Sequence, residues 1–147
     1  MKSDHSYRAD PAVPSFDESR ALVVMDAECA LCCRGARLIA QADKAHEFQI
    51  TTAQSPLGRA LLVHYGLNPD DPESWLYLTD GRAFHSLDAI IRVGKRLGGP
   101  MRLWSVFAPI PRGMQDWLYR RMARNRYRFG RGDMCALPDP ELRKRLI

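Results

Sequence analysis

No run of apolar residues in this 147-residue chain approaches the roughly 20 that a membrane-spanning helix needs. The first twenty residues also lack the apolar centre of a signal peptide: Asp4, Asp10, Asp17 and Glu18 are scattered through them, and Pro11 and Pro14 interrupt any helix. There is no internal repeat, no low-complexity segment, no second C-x-x-C and no paired-histidine motif, so nothing points to a solenoid or a standard zinc module. These absences predict a cytoplasmic protein. Hydrophobic residues make up 46% and charged residues 27% of the chain, enough to bury one core without disulfide staples. The organisation expected is a disordered arm at 1–20, a core at 21–98 and a helical, basic extension at 99–147 packed on the same domain.

Acidic residues are scarce in one place. From Met1 to Pro111 there are 12 basic and 13 acidic residues, whereas Arg112 to Ile147 hold 10 basic and 4 acidic, a net of +6. The whole excess of the +5 chain therefore sits in its last quarter. Arg120, Arg121, Arg124, Arg126, Arg128 and Arg131 make the cluster. A solvated helix face is the default reading, with Met114, Trp117, Leu118 and Met122 as the buried stripe. Docking of an acidic protein partner comes next. Nucleic acid is disfavoured: Tyr127 and Phe129 alternate with arginines, but no nucleic-acid motif accompanies them. Met101 to Ile110, with Trp104 and Phe107, could lie on a membrane surface, but packing against the sheet is the simpler expectation.

Ala21-Leu22-Val23-Val24-Met25 reads as a fully buried strand. A helix follows from about Cys29 to Ala45, with Leu31, Leu38, Ile39 and Ala42 at helical spacing. Phe48–Thr51 reads as a second strand, and Ser55-Pro56 opens a helix that Gly66 closes. Trp75–Thr79 and Arg82–His85, joined by Asp80-Gly81, form a hairpin. Ser86 is expected to cap a helix from Leu87 to Leu97, and helical segments follow at about Met101–Ala108 and Gly113–Arg126. This βαβ unit followed by a hairpin and a helix is the minimal thioredoxin arrangement, an α/β fold with a four-stranded mixed sheet flanked by helices. The order is reached without using the cysteines.

Only four cysteines occur: Cys29, Cys32, Cys33 and Cys135. In a reducing cytoplasm a C-x-x-C pair indicates redox chemistry or a metal rather than a structural bridge. A thiol attacks as its thiolate, and a free cysteine with a pKa of about 8.5 is mostly protonated at neutral pH. At a helix N-terminus, unsatisfied N–H groups and the helix dipole both favour the anion at Cys29. Cys32 lies one turn on and is expected deeper in the turn. The cycle expected is attack by Cys29 on a substrate disulfide, a mixed disulfide, then resolution by Cys32. Asp26 is the nearest base for that second step, or else a helix cap.

Asp26-Ala27-Glu28-Cys29-Ala30-Leu31-Cys32, after an apolar strand, resembles the D-G-x-C-x-x-C signature of the DCC family of thiol–disulfide oxidoreductases, named for an aspartate and two cysteines. Ser86-Leu87-Asp88-Ala89-Ile90 and the stretch Leu118 to Arg126, similar to the family's Y-x-x-x-A-x-N-R segment, extend the resemblance over roughly Ala21 to Gly130. It implies a thioredoxin-like fold, dithiol–disulfide exchange, and functional positions at Asp26, Cys29 and Cys32. Ala27 stands where the family usually has glycine, and Glu28 places a negative charge beside Cys29. A cis-proline before the third strand is common in thioredoxin-like sites, and the nearest candidate here is Pro72.

The substrate expected is a disulfide-containing protein or small thiol, with another dithiol as electron donor, so neither cofactor nor metal is required. Two other readings stand beside it. One is a binding module whose basic C-terminal helix does the work. The other is a zinc-stabilised domain using Cys29, Cys32, Cys135 and a histidine. Cys33 reads as a small buried residue that competes for Cys29 under oxidation, and Cys135 as a bystander or a further resolving thiol. His46, His64 and His85 are unpatterned and read as surface or satisfied side chains.

Overall fold

A computed structural model describes residues 3–70, 75–125, 128 and 144–147. Its elements are β1 (Ala21–Met25), α1 (Ala30–Ala42), β2 (Phe48–Thr52), α2 (Pro56–His64), β3 (Leu76–Thr79), β4 (Arg82–His85), α3 (Ser86–Leu97) and α4 (Arg112–Arg124). Two 3-10 helices, Ser6–Ala9 and Gly99–Phe107, complete the set. The four strands form one sheet in the order β2-β1-β3-β4, with β1 and β2 parallel and β3 and β4 antiparallel to their neighbours. This is the thioredoxin-like arrangement.

The apolar run of β1 makes it the central strand, buried at all five positions. Alternation then divides the core. Ala21, Val23 and Met25 face α1 and α3 on one side of the sheet, and Leu22 and Val24 face α2 on the other. The buried face of α1 is built from Ala30, Cys33, Ala36, Ile39 and Ala40, small residues for the most part. Leu38, which the spacing assigns to the core, is exposed. α2 comes still closer: a Cβ on Gly58 would lie 2.0 Å from the Thr52 carbonyl oxygen. The β3–β4 turn follows its sequence, with Asp80 and Gly81 at φ of 50° and 76°. Ser86 does not cap α3. It opens the helix at φ 60°, and His85 takes the N-cap position without a side-chain cap.

The expectation of a disordered arm differs most from what is found. Tyr7 of the first 3-10 helix is 5% exposed and packs with Val13 and Phe16 on the α2 side of the sheet. The His5 N–H donates to the Gly81 carbonyl at 2.8 Å. His64 is held between Ser6 Oγ (2.9 Å from Nε2) and Asp10 Oδ2 (2.8 Å from Nδ1). One aromatic anchor and these polar ties outweigh a composition that reads as unstructured.

Residues 144–147 add a second feature with no periodic signal. Leu146 pairs in parallel with Ile50, so this short segment covers the free edge of β2. Arg145 is buried and bonded to Asp43 through its carboxylate (3.0 Å) and carbonyl (2.7 Å). In the extension, the segment after Gly98 is a 3-10 helix, and α4 packs on α3. α4 buries Gln115 and Tyr119, while Met114, Trp117, Leu118 and Met122 are exposed, which reverses the expected stripe. Arg126 and Arg131 lie outside the described residues.

Candidate functional site

Strand β1 ends at Met25 in the middle of the sheet, and the next four residues carry the chain into α1. Cys29 is the N-cap of α1, with extended backbone (φ −95°, ψ 113°), and its Sγ accepts a hydrogen bond from the Cys32 N–H at 3.3 Å. Its carbonyl accepts the first helical bond from the Cys33 N–H at 3.0 Å. The sulfur therefore takes the place that a serine or aspartate oxygen usually takes at a helix start. A charge on that sulfur meets an N–H donor and the positive end of the helix dipole.

Asp26, Cys29 and Cys32 come together in one seven-residue turn, and a fourth residue completes the loop. The Gln54 side chain, from the β2–α2 connection, donates from Nε2 to Asp26 Oδ1 (3.0 Å) and accepts the Ala27 N–H at Oε1 (3.2 Å). The same Asp26 oxygen accepts the Glu28 N–H at 2.9 Å. The buried Asp26 carboxylate thus holds the loop that delivers Cys29. Gln54 carries no signal in the sequence, being one polar residue in a loop 25 positions away from the pair. Ala27 in place of glycine imposes no strain, since it is not among the residues of positive φ.

Exposure divides the two thiols against expectation. Both carry thiols rather than a disulfide, but Cys29 is fully buried and Cys32 is half-buried. The first sulfur of the pair is the deeper one, because as N-cap it is drawn under the turn whose N–H it accepts. Cys33 is not a free competitor. It is buried and disulfide-bonded.

Among the described residues no group of three or more histidine, cysteine, aspartate or glutamate side chains is arranged to hold a metal ion. Cys135, which the zinc reading needs, lies outside them, as does Pro72. His46 lies against Arg145 (3.1 Å), His64 between Ser6 and Asp10, and His85 beside Ser86 (3.2 Å), so each is engaged away from the pair. No helix among the described residues is long and apolar enough to cross a membrane.

Comparison with known proteins bears on the same turn. Residues 23–132 match the family model described as DCC1-like thiol-disulfide oxidoreductase. The chain is 33% identical over 127 residues to Bacillus subtilis (strain 168) protein YuxK, described as uncharacterized, covering 86% of this chain and 93% of that one. It is 30% identical over 125 residues to the chloroplastic DCC family protein At1g52590 of Arabidopsis thaliana, covering 82% and 72% of the two chains. No solved structure gives a significant match.

Proposed function

This chain belongs to the DCC1-like thiol-disulfide oxidoreductase family, and from that premise we propose that it exchanges a dithiol for a disulfide through Cys29 and Cys32. The observation that supports this most directly is the 3.3 Å bond from the Cys32 N–H to Cys29 Sγ at the start of α1. In the exchange, a substrate disulfide and the two thiols give the Cys29–Cys32 disulfide and two substrate thiols. Two electrons pass to the substrate, and both thiol protons end on its products.

Access and ionisation fall on different sulfurs. Cys32 is the one a bulky disulfide reaches, and Cys29 is the one whose anion the turn supports. The mixed disulfide therefore forms at Cys32. Cys29 resolves it as a thiolate, and leaves as one when an incoming dithiol reduces the pair. Asp26 positions Cys29 by fixing the loop, and is a buried carboxylate of the same turn that can relay the proton Cys29 gives up toward the departing substrate thiol. The substrate is a protein disulfide or a small disulfide, and the donor another dithiol.

Titration in defined dithiol buffers, read by mass after alkylation, tests the exchange. A reversible two-electron couple that disappears in Cys32→Ser supports it, and two thiols that never pair with each other defeat it. Trapping with a small disulfide tests the order. Cys29→Ser should accumulate a mixed disulfide at Cys32, and faster trapping in Cys32→Ser would restore Cys29 as the attacking thiol.

A further inference from the structure

α4 and the preceding 3-10 helix leave their largest apolar side chains in water. On α4, Gln115 and Tyr119 are buried and Ala123 packs with Tyr119 against α3. Met114, Trp117, Leu118 and Met122, at the spacing of one helical stripe, lie on a different face, with Trp117 59% exposed. In Gly99–Phe107 no residue is buried, Leu103 is 76% and Val106 70% exposed, and Trp104 is exposed as well. The two elements are tied together, since Gln115 Nε2 donates to the carbonyls of Phe107 (3.1 Å) and Ile110 (2.8 Å). Seven large apolar side chains within twenty residues make a surface that a free protein seldom keeps without a partner.

The charge around them has one sign. Arg102, Arg112, Arg120, Arg121 and Arg124 stand between Gly99 and Asn125 against Asp116 alone. All five are exposed, and among the described residues none of them is in an ion pair. The Arg121 guanidinium lies over the Trp117 ring at 6.0 Å, so cation and apolar surface share one patch.

We propose that Gly99–Phe107 and α4 form a docking surface for an anionic lipid bilayer. The apolar row enters the boundary between headgroups and acyl chains, and the arginines meet headgroup phosphates. Phe107 of the 3-10 helix packs against α3, while Leu103, Trp104 and Val106 project outward into solvent. An outward-projecting surface suits a bilayer, which adapts to its shape, better than a folded partner, which needs a matching pocket. Two exposed tryptophans amid arginines are also what the membrane interface favours. This inference is independent of the dithiol chemistry.

Co-sedimentation of the full chain with phosphatidylcholine vesicles, with and without phosphatidylglycerol, tests it. The protein should be retained by the anionic vesicles, less so as salt is raised, and with a blue shift of tryptophan emission. Leu103→Ser with Trp117→Ser should weaken partition by on the order of tenfold or more, and Arg120→Glu with Arg124→Glu should weaken it comparably. All four positions are exposed, so melting temperatures should stay near that of the parent. Absence of retention at low salt overturns the proposal. Retention that ignores Leu103→Ser with Trp117→Ser also overturns it, as attraction by charge alone. Binding to an acidic polypeptide but not to vesicles reassigns the surface to a protein partner.

Discussion

Gln54 and Arg145 are single residues whose roles depend wholly on where the chain brings them. Gln54 offers one donor and one acceptor to the loop before Cys29, and replaces nothing that the loop supplies for itself. Gln54→Ala should cost about 1–2 kcal/mol, two hydrogen bonds at the usual net value. It should also slow disulfide exchange severalfold, because the N-cap sulfur loses its support. An exchange rate and reduction potential equal to the parent's would show that Gln54 does not brace the loop. Arg145 is the larger case. Its guanidinium is fully buried against Asp43, and removal of either partner strands a charge in the interior. Arg145→Ala should lose about 3–5 kcal/mol in urea denaturation. A loss near that of an ordinary surface ion pair would mean that the segment does not hold its place in solution.

The element that argues most strongly for a test is the arm. Its one turn of 3-10 helix is too short to be stable alone, so it depends on what it touches. Tyr7 carries that dependence. Its ring is buried beside Phe16, at 5.4 Å between centroids, and burial together with the nearby Glu18 raises its phenol to a pKa of about 12. Tyr7→Ala should cost about 3 kcal/mol, the usual range for emptying a buried aromatic site. It should also open residues 3–20 to proteolysis. Unchanged stability, with the arm equally resistant, would contradict its place in the core. α4 shows the opposite relation between pattern and packing. Its sequence carries an apolar stripe, yet the helix turns Gln115 and Tyr119 inward, where Gln115 bonds the carbonyls of Phe107 and Ile110 in the turn before α4.

At the scale of the molecule, the Asp43–Arg145 pair links the end of α1, the edge of β2 and residues 144–147, so its protonation is felt by the whole fold. Burial alone would raise the Asp43 carboxyl. Hydrogen bonds from the N–H groups of Glu47 and Phe48 and from Arg145 outweigh it and hold the group below its ordinary value. A depressed carboxyl contributes fully above the unfolded pKa of about 3.9, and that contribution is lost as pH falls through the lower folded value. The stability difference between parent and Asp43→Asn should therefore be constant from neutral pH down to that range and shrink below it. A difference independent of pH down to acid unfolding would show that ionisation of Asp43 contributes nothing.

The sequence by itself determined the strands, the hairpin, the order of elements and the place of the dithiol. Each rests on interactions between near neighbours: the continuous apolar run of β1, the Asp80-Gly81 turn, and the three-residue spacing of Cys29 and Cys32 at a helix start. Only the tertiary structure decided which thiol is exposed, because that depends on how far the N-cap is drawn under its own turn. It also decided that the arm is ordered, that residues 144–147 close the β2 edge, that Gln54 braces the loop, and that the apolar stripe of α4 faces outward. Each of these is set by a partner tens of residues away or by competition between faces of one helix. Periodicity within a segment carries no record of such partners.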